Sequence, residues 1–226
     1  MTGKVLFITG ASSGIGAATA RAAAKAGWKL GLMARSGDAL AEQAETLGSP
    51  QVACPLPGDV TDPAQVERAL HATTTAFGQI DAVFANAGRG SRHHGTEGGD
   101  IADWRGMVDL NIMAVLYTAK AALPHLRQTR GHFLVTGSMA GRMHLKGSIY
   151  GATKWFIHGF AGNLADEMAE WGGRCTLISP GMVDTPFFNT PKPDKLQPED
   201  IARAVMAALD QDPRACVREI YVTPVN

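Results

Sequence analysis

Apolar residues along this chain fall into two alternating kinds of segment. Short runs such as Val5-Leu6-Phe7-Ile8 and Phe133-Leu134-Val135-Thr136 have the length and residue types of buried strands. Longer stretches between them repeat their apolar positions at helical spacing. The pattern predicts strands near 4–9, 29–34, 51–55, 80–85, 131–137, 174–179 and 218–223. It predicts helices near 14–26, 38–47, 63–77, 101–128, 150–171 and 198–210. Asp62-Pro63 reads as an N-cap with proline at the first helical position, and Pro198 followed by Glu199 and Asp200 reads as a second such start. Asp38 is expected to cap the second helix. Strands separated by helices imply an α/β fold with a parallel sheet and right-handed crossovers. A length of 226 residues suits one such domain spanning 1–226, with no internal repeat, low-complexity tract or linker.

The segment Thr9-Gly10-Ala11-Ser12-Ser13-Gly14-Ile15-Gly16 lies between the first strand and an Ala-rich helix. Glycines there keep side chains away from the backbone, and the helix N-terminus offers unpaired N–H groups and the positive end of its dipole. That is one way a parallel α/β sheet holds a dinucleotide. The second strand ends Leu32-Met33-Ala34-Arg35-Ser36, with no acid to bond a ribose 2′-hydroxyl. Ala34 leaves room, the Arg35 fork suits a phosphate, and Ser36 adds a hydroxyl, so the expected cofactor is NADP(H) in preference to NAD(H). Far downstream, Ser138 ends an apolar run, and Tyr150 and Lys154 stand four apart on one face of a predicted helix.

Together these residues resemble the short-chain dehydrogenase/reductase family, and the resemblance spans nearly the whole chain. It rests on Thr9 to Gly16, Asp59-Val60, Asn86-Ala87-Gly88, Asn111, Ser138, Tyr150, Lys154, and Pro180-Gly181 with Thr185, in the family's order. Ala85 stands where the family often has a first Asn, and the segment after Thr185 is short. The resemblance implies a Rossmann-type, doubly wound sheet of about seven strands in the order 3-2-1-4-5-6-7. It implies Tyr150 as general acid/base, Lys154 beside it favouring phenolate and bonding the nicotinamide ribose, and Ser138 holding the substrate oxygen. Asn111 would hold a water linking Lys154 to solvent. The cofactor would lie against Gly10, Ser12, Ser13, Gly14, Ile15 and Gly16, with Asp59 and Val60 at the adenine. Asn86, Ala87 and Gly88 would run along it, with Asn86 also tying strands together. Tyr150, Lys154, Pro180, Gly181, Val183 and Thr185 would meet the nicotinamide end.

Composition narrows the classes further. Lys+Arg and Asp+Glu balance at 21 each, which gives no sign of a nucleic-acid face or a polybasic membrane anchor. No uninterrupted apolar run approaches the roughly 20 residues of a membrane span, and no signal peptide is visible. Cys54, Cys175 and Cys216 are scattered and odd in number, which fits core residues in a reducing, cytoplasmic compartment. Adjacent His93 and His94 lack accompanying acids or cysteines, so no metal is expected.

The expected activity is oxidation of a secondary alcohol to a carbonyl, or the reverse. A small 3-hydroxy acid is one substrate class implied by resemblance, because the ending Glu219-Ile-Tyr-Val-Thr-Pro-Val is similar to that of family members acting on such acids. A 3-oxoacyl thioester or general ketone is the alternative, and an NADP-binding regulatory protein without turnover is the rival from another class. Arg89 to Asp100 and Thr185 to Gln197 are candidate substrate loops. Arg89, Arg92, His93 and His94, with Arg142, His144 and Lys146, would make the mouth basic and favour a keto acid over its ester. The family also implies a homotetramer or dimer, with Met107, Ile112, Met113, Leu116 and Phe156 as candidate contact surface.

Overall fold

The computed structural model describes residues 3–48, 50–93 and 95–225. Seven strands form one parallel sheet: β1 (Val5–Thr9), β2 (Lys29–Ala34), β3 (Ala53–Pro57), β4 (Ala82–Ala85), β5 (His132–Thr136), β6 (Arg174–Pro180) and β7 (Glu219–Val222). Their spatial order is β3-β2-β1-β4-β5-β6-β7, so the winding reverses between β1 and β4 and opens a crevice at the strand C-termini. Among the described residues seven α-helices cover the faces: α1 (Gly14–Lys25), α2 (Gly37–Leu47), α3 (Pro63–Phe77), α4 (Ile101–Val108), α5 (Ala114–Thr129), α6 (Ile149–Ala169) and α7 (Pro198–Leu209).

The central strands are buried on both faces, and successive side chains enter opposite cores. On one side Phe7, Val83, Phe133 and Val135 pack with Val66, Leu70, Leu126, Ile157 and Leu164. On the other, Leu6, Ile8, Leu30, Phe84 and Leu134 pack with Ala20, Leu40, Ile201 and Val205. Met107 is fully buried, so it belongs to the interior and not to the expected contact surface.

Three local departures from the sequence reading have physical causes. The third strand starts two residues later than expected, because Gly48, at φ 95°, ends α2 and the Val52 N–H returns to the Gly48 carbonyl. Its Pro55 and Pro57 lack ladder donors and are tolerated because β3 is an edge strand. The second helix is capped by Ser36, with Asp38 inside its first turn. The predicted helix at 101–128 is broken by a π turn, Asp109–Met113, in which the Ala114 N–H reaches back to the Asp109 carbonyl. The whole stretch Ile101–Thr129, 29 residues, is long and apolar enough to cross a membrane, unlike any uninterrupted run. Here its buried residues, Ala114, Val115, Ala119, Ala122 and Leu126, pack into the core beside α3.

A buried histidine lies between β5 and β6. Thr176 gives its hydroxyl proton to the Val217 carbonyl (2.6 Å), so His132 Nε2–H is the donor in the 2.7 Å contact with Thr176 Oγ1. Nδ1 has no partner among the described residues. Burial pushes the imidazole pKa down to about 3. An unfolded chain protonates near pH 6.5, so between about 6.5 and 3 the unfolded state binds more protons and stability falls as pH falls. Substituting His132→Leu should shrink the stability lost between pH 6.5 and pH 4 by about 3 kcal/mol, measured by urea unfolding at both pH values. An unchanged loss would show that His132 does not titrate as a buried group.

Candidate functional site

The glycine turn sits at the C-terminal end of β1, beside the point where the sheet winding reverses. Gly10 (φ 65°) and Gly14 (φ 51°) occupy the left-handed region, where other residues are strained. A Cβ on Gly16 would run into the Gly10 carbonyl, so the third glycine lets α1 approach the turn. Ser13 caps α1 through its backbone and makes no side-chain cap bond, so the first N–H groups stay uncovered by side chains. Ser12 lies in the turn, and Ile15 packs into the core beneath it. This arrangement fits a pyrophosphate: a concave backbone, a helix N-terminus and no Cβ in the way.

Around the turn the strand ends are stitched together. Asn86 Nδ2 donates to the Thr9 and Gly10 carbonyls (3.2 and 3.3 Å), while Asn86 Oδ1 accepts from Thr136 Oγ1 (3.1 Å). The Thr9 hydroxyl in turn accepts from the Asn86 and Ala87 N–H groups. Asn86 thus ties β1, β4 and β5, the strand-tying part of its expected role. Asp59 Oδ1 accepts from the N–H and hydroxyl of Thr61 (2.9 and 2.8 Å), giving that acid a turn-forming role, and Val60 is buried beside it. At the end of β2, Arg35 and Ser36 are exposed. Among the described residues Arg35 makes no hydrogen bond or ion pair.

Ser138, Tyr150 and Lys154 converge across the crevice. Ser138 begins the short 3-10 turn Met139–Gly141, and its Oγ accepts from the Ala140 N–H (3.1 Å). Its own proton is not used in that bond, and the hydroxyl lies close enough to the Tyr150 phenol to favour its ionised form. Lys154, one helical turn beyond Tyr150 and only 5% exposed, donates to the Thr136 carbonyl at 2.8 Å. Its ammonium lies over the phenol ring, 5.8 Å from the centroid. Burial lowers the Lys154 pKa to about 8. Burial also raises the Tyr150 pKa, with the Ser138 hydrogen bond pulling the other way. Sequence reasoning expected Lys154 to lower it. Desolvation of the phenolate is the larger effect, and the ammonium faces a carbonyl.

Asn111 sits within the π turn, which carries its side chain to the end of β4. Oδ1 accepts from the Arg89 N–H and Nδ2 donates to the Arg89 carbonyl, both at 2.9 Å. Nδ2 also donates to Thr153 Oγ1 (3.1 Å), next to Lys154. Both Nδ2 protons are thus used to clamp the loop after Gly88 to α6, while Oδ1 keeps a second lone pair.

The loop after Gly88 has an organiser that sequence reasoning missed. The buried Asp103 carboxylate takes Arg89 Nη1 at 2.5 Å, Ser91 Oγ at 3.0 Å and the Arg92 N–H at 2.9 Å. The Arg89 hydrogen bond, with the Arg92 and Ser91 donors, holds its pKa well below the usual carboxylate range despite burial. Arg89 is thereby committed to Asp103, and Arg142 forms a fork with Glu219 (Nε to Oε1, 2.8 Å; Nη2 to Oε2). His144 stacks on Trp155, while Arg92, His93 and Lys146 are exposed. His94 lies outside the described residues. The basic mouth expected from sequence therefore loses both Arg89 and Arg142 to internal partners. The two loops do meet: a Cβ on Gly147 would come within 2.9 Å of Gly95 Cα.

The segment from β6 to α7 closes the far side. Gly181 N–H bonds the Val222 carbonyl (2.7 Å), following Pro180 at the end of β6. Val183 pairs with Leu196, so residues 183–196 form a tied loop. The Thr185 methyl abuts Gly14, where a Cβ would lie 3.2 Å away, and Phe187 packs edge-on against Tyr150 with ring centroids 5.5 Å apart.

A family model described as short chain dehydrogenase matches residues 4–196. An uncharacterized oxidoreductase of Staphylococcus aureus is 40% identical, with 100% of this chain and 99% of that protein covered. Among solved structures, an alcohol dehydrogenase from the archaeon Thermococcus sibiricus, complexed with 5-hydroxy-NADP, superposes with TM-score 0.91 at 33% identity, covering 98% of this chain and 97% of that one. Serine dehydrogenase from Escherichia coli gives TM-score 0.89 at 28% identity, covering 98% of each chain.

Asp103 and Asn111 grip Arg89 from two sides, one by its guanidinium and one by its backbone. In Asp103→Asn the guanidinium loses its carboxylate, and the Arg89 amide should exchange with deuterium at least about tenfold faster. Unchanged protection would show that Asn111 alone fixes this loop.

Proposed function

Because the chain belongs to the short-chain dehydrogenase family and is an oxidoreductase of that type, we propose that it interconverts a secondary alcohol and a carbonyl compound using NADP(H). The convergence of Ser138, Tyr150 and Lys154 at the mouth of a dinucleotide-shaped crevice carries this reading. When bound, the nicotinamide supplies or accepts the hydride. The chain's own residues handle the oxygen and its proton. Ser138 and Tyr150 hydroxyls together hold the substrate oxygen, and Tyr150 exchanges its proton with that oxygen. A phenol kept protonated by burial suits the donor role in carbonyl reduction. Lys154 keeps positive charge beside the phenol, and Asn111 positions it through Thr153. The intact set of four groups disfavours a purely regulatory NADP-binding protein.

The preference for the phosphorylated cofactor rests on Arg35. It is exposed at the end of β2, unpaired among the described residues, and no acid stands beside it to bond a 2′-hydroxyl. In this reading Gly10, Ser12, Ser13, Gly14, Ile15, Gly16, Asp59, Val60, Asn86, Ala87, Gly88, Pro180, Gly181, Val183 and Thr185 would lie along the rest of the cofactor. In this reading the enzyme works in the cytoplasm, consistent with three free thiols, Cys54, Cys175 and Cys216. It works as a dimer or tetramer, with exposed Trp155 and Phe156 and the groove bordered by Leu116, Leu123 and Phe160 as contact surface.

Tyr150→Phe keeps the ring and removes the proton. Turnover of a ketone panel, followed by NADPH absorbance, should fall at least about 100-fold while NADPH affinity changes little. Activity within a few-fold of the parent would remove Tyr150 from the mechanism. Arg35→Ala should weaken NADPH by about 10- to 150-fold and NADH far less, read by fluorescence titration. Equal losses for both cofactors would show that Arg35 does not read the 2′-phosphate.

A further inference from the structure

We propose that Phe187 is the specificity-determining wall of the substrate site, and that it selects uncharged ketones with a flat apolar substituent over keto acids. The proposal rests on the carbonyl-reductase reading and adds the substrate class. Any substrate oxygen that reaches the Ser138 and Tyr150 hydroxyls brings its carbon substituents against the neighbours of the phenol. Phe187 is such a neighbour. Its ring meets Tyr150 at 60° with centroids 5.5 Å apart, and Phe188 backs it at 5.1 Å and 72°. Across the mouth it abuts backbone: a Cβ on Gly90 would lie 3.0 Å from Phe187 Cζ. One ring thus touches both the catalytic helix and the loop after β4.

The ring is also free to serve a ligand. It is 41% exposed and lies outside both cores. Short bonds to Thr185 hold its backbone, namely Phe187 N–H to Thr185 Oγ1 (3.3 Å) and Phe188 N–H to the Thr185 carbonyl (3.1 Å). A flat apolar substituent can replace solvent on this face and make an aromatic edge or stacking contact. A carboxylate there would lose water against a phenyl ring, which offers it neither a hydrogen bond nor an opposite charge. Arg89 is held by Asp103, Arg142 by Glu219, and Lys154 by the Thr136 carbonyl. The exposed charges of Arg92 and Lys146 are solvated and screened.

The test compares acetophenone, acetone, a 3-keto acid and its methyl ester as substrates of the parent enzyme and of Phe187→Ala and Phe187→Leu. Binding of benzamide, a flat amide that cannot be reduced here, is measured by calorimetry on the NADPH complex. In the parent, the ester should exceed the acid in kcat/KM at both low and high salt, and acetophenone should exceed acetone. Phe187→Ala should lower the acetophenone-to-acetone ratio and benzamide affinity by about tenfold each, with Phe187→Leu between. A keto acid equal to or better than its ester, or a ratio unchanged in Phe187→Ala, would overturn the proposal. Should no carbonyl compound turn over, the catalytic reading falls. Tenfold weaker benzamide binding in Phe187→Ala would then still support the apolar wall, and unchanged binding would overturn it.

Discussion

One buried ammonium sets the terms for the rest of the site. Removing a lysine from water is costly, and lowering its pKa from 10.5 to about 8 corresponds to about 3 kcal/mol of folding stability forgone while it stays charged. The Thr136 carbonyl at the end of β5 compensates part of that. The surrounding backbone then has to close tightly on α6. Gly141 has no Cβ because the Lys154 carbonyl would stand 2.6 Å from it. That close approach seats the Met139–Gly141 turn on the helix and brings Ser138 to the phenol. Ser138, Tyr150 and Lys154 are thus one packed unit, in which the placement of the charge decides the placement of both hydroxyls.

Most of the scaffold could be read from the sequence, because alternating strand runs and helical stretches carry their period locally. The glycine turn was legible for the same reason, since three residues within seven fix its shape. Tyr150 and Lys154 were legible as a pair because a helix turns four-residue spacing into contact. The missed features are those whose partners are distant or whose effect is a loss. Asp103 gathers Arg89, Ser91 and Arg92 across a loop with no periodicity, so nothing in the spacing announces it. Counting cations overstated the basic mouth, because composition does not reveal that Arg142 faces Glu219 on the last strand. Phe187 sits among prolines in an irregular segment, where only the folded loop brings it to Tyr150. The π turn was hidden because its residues, Asp109 to Met113, look like ordinary helix.

The polar network beneath the mouth differs from the apolar wall above it. Asn111, Thr153, Arg89 and Asp103 satisfy one another, so the floor is fixed by directional bonds that tolerate little displacement. The loop from Thr185 onward is held by a single bridge and a few backbone contacts, and packing of rings sets its position. Under the proposed function, chemistry lies on the rigid part and selection on the adaptable part.

The π turn also absorbs one residue without changing the phase of the helices on either side. It contains one residue more than an α turn would need, and the helical path continues smoothly into α5 on its far side. Excising one of its residues would let the turn close as ordinary α-helix, with α4 and α5 keeping their relation to one another. Asp103, on α4, would keep its place, whereas Asn111, inside the turn, would shift against Arg89 and Thr153. Such a chain would keep its sheet, its cores and its glycine turn, yet loosen the amide clamp at the floor of its mouth. Chain length at this point is therefore constrained as tightly as residue identity, although no atom of the turn's backbone need touch a substrate.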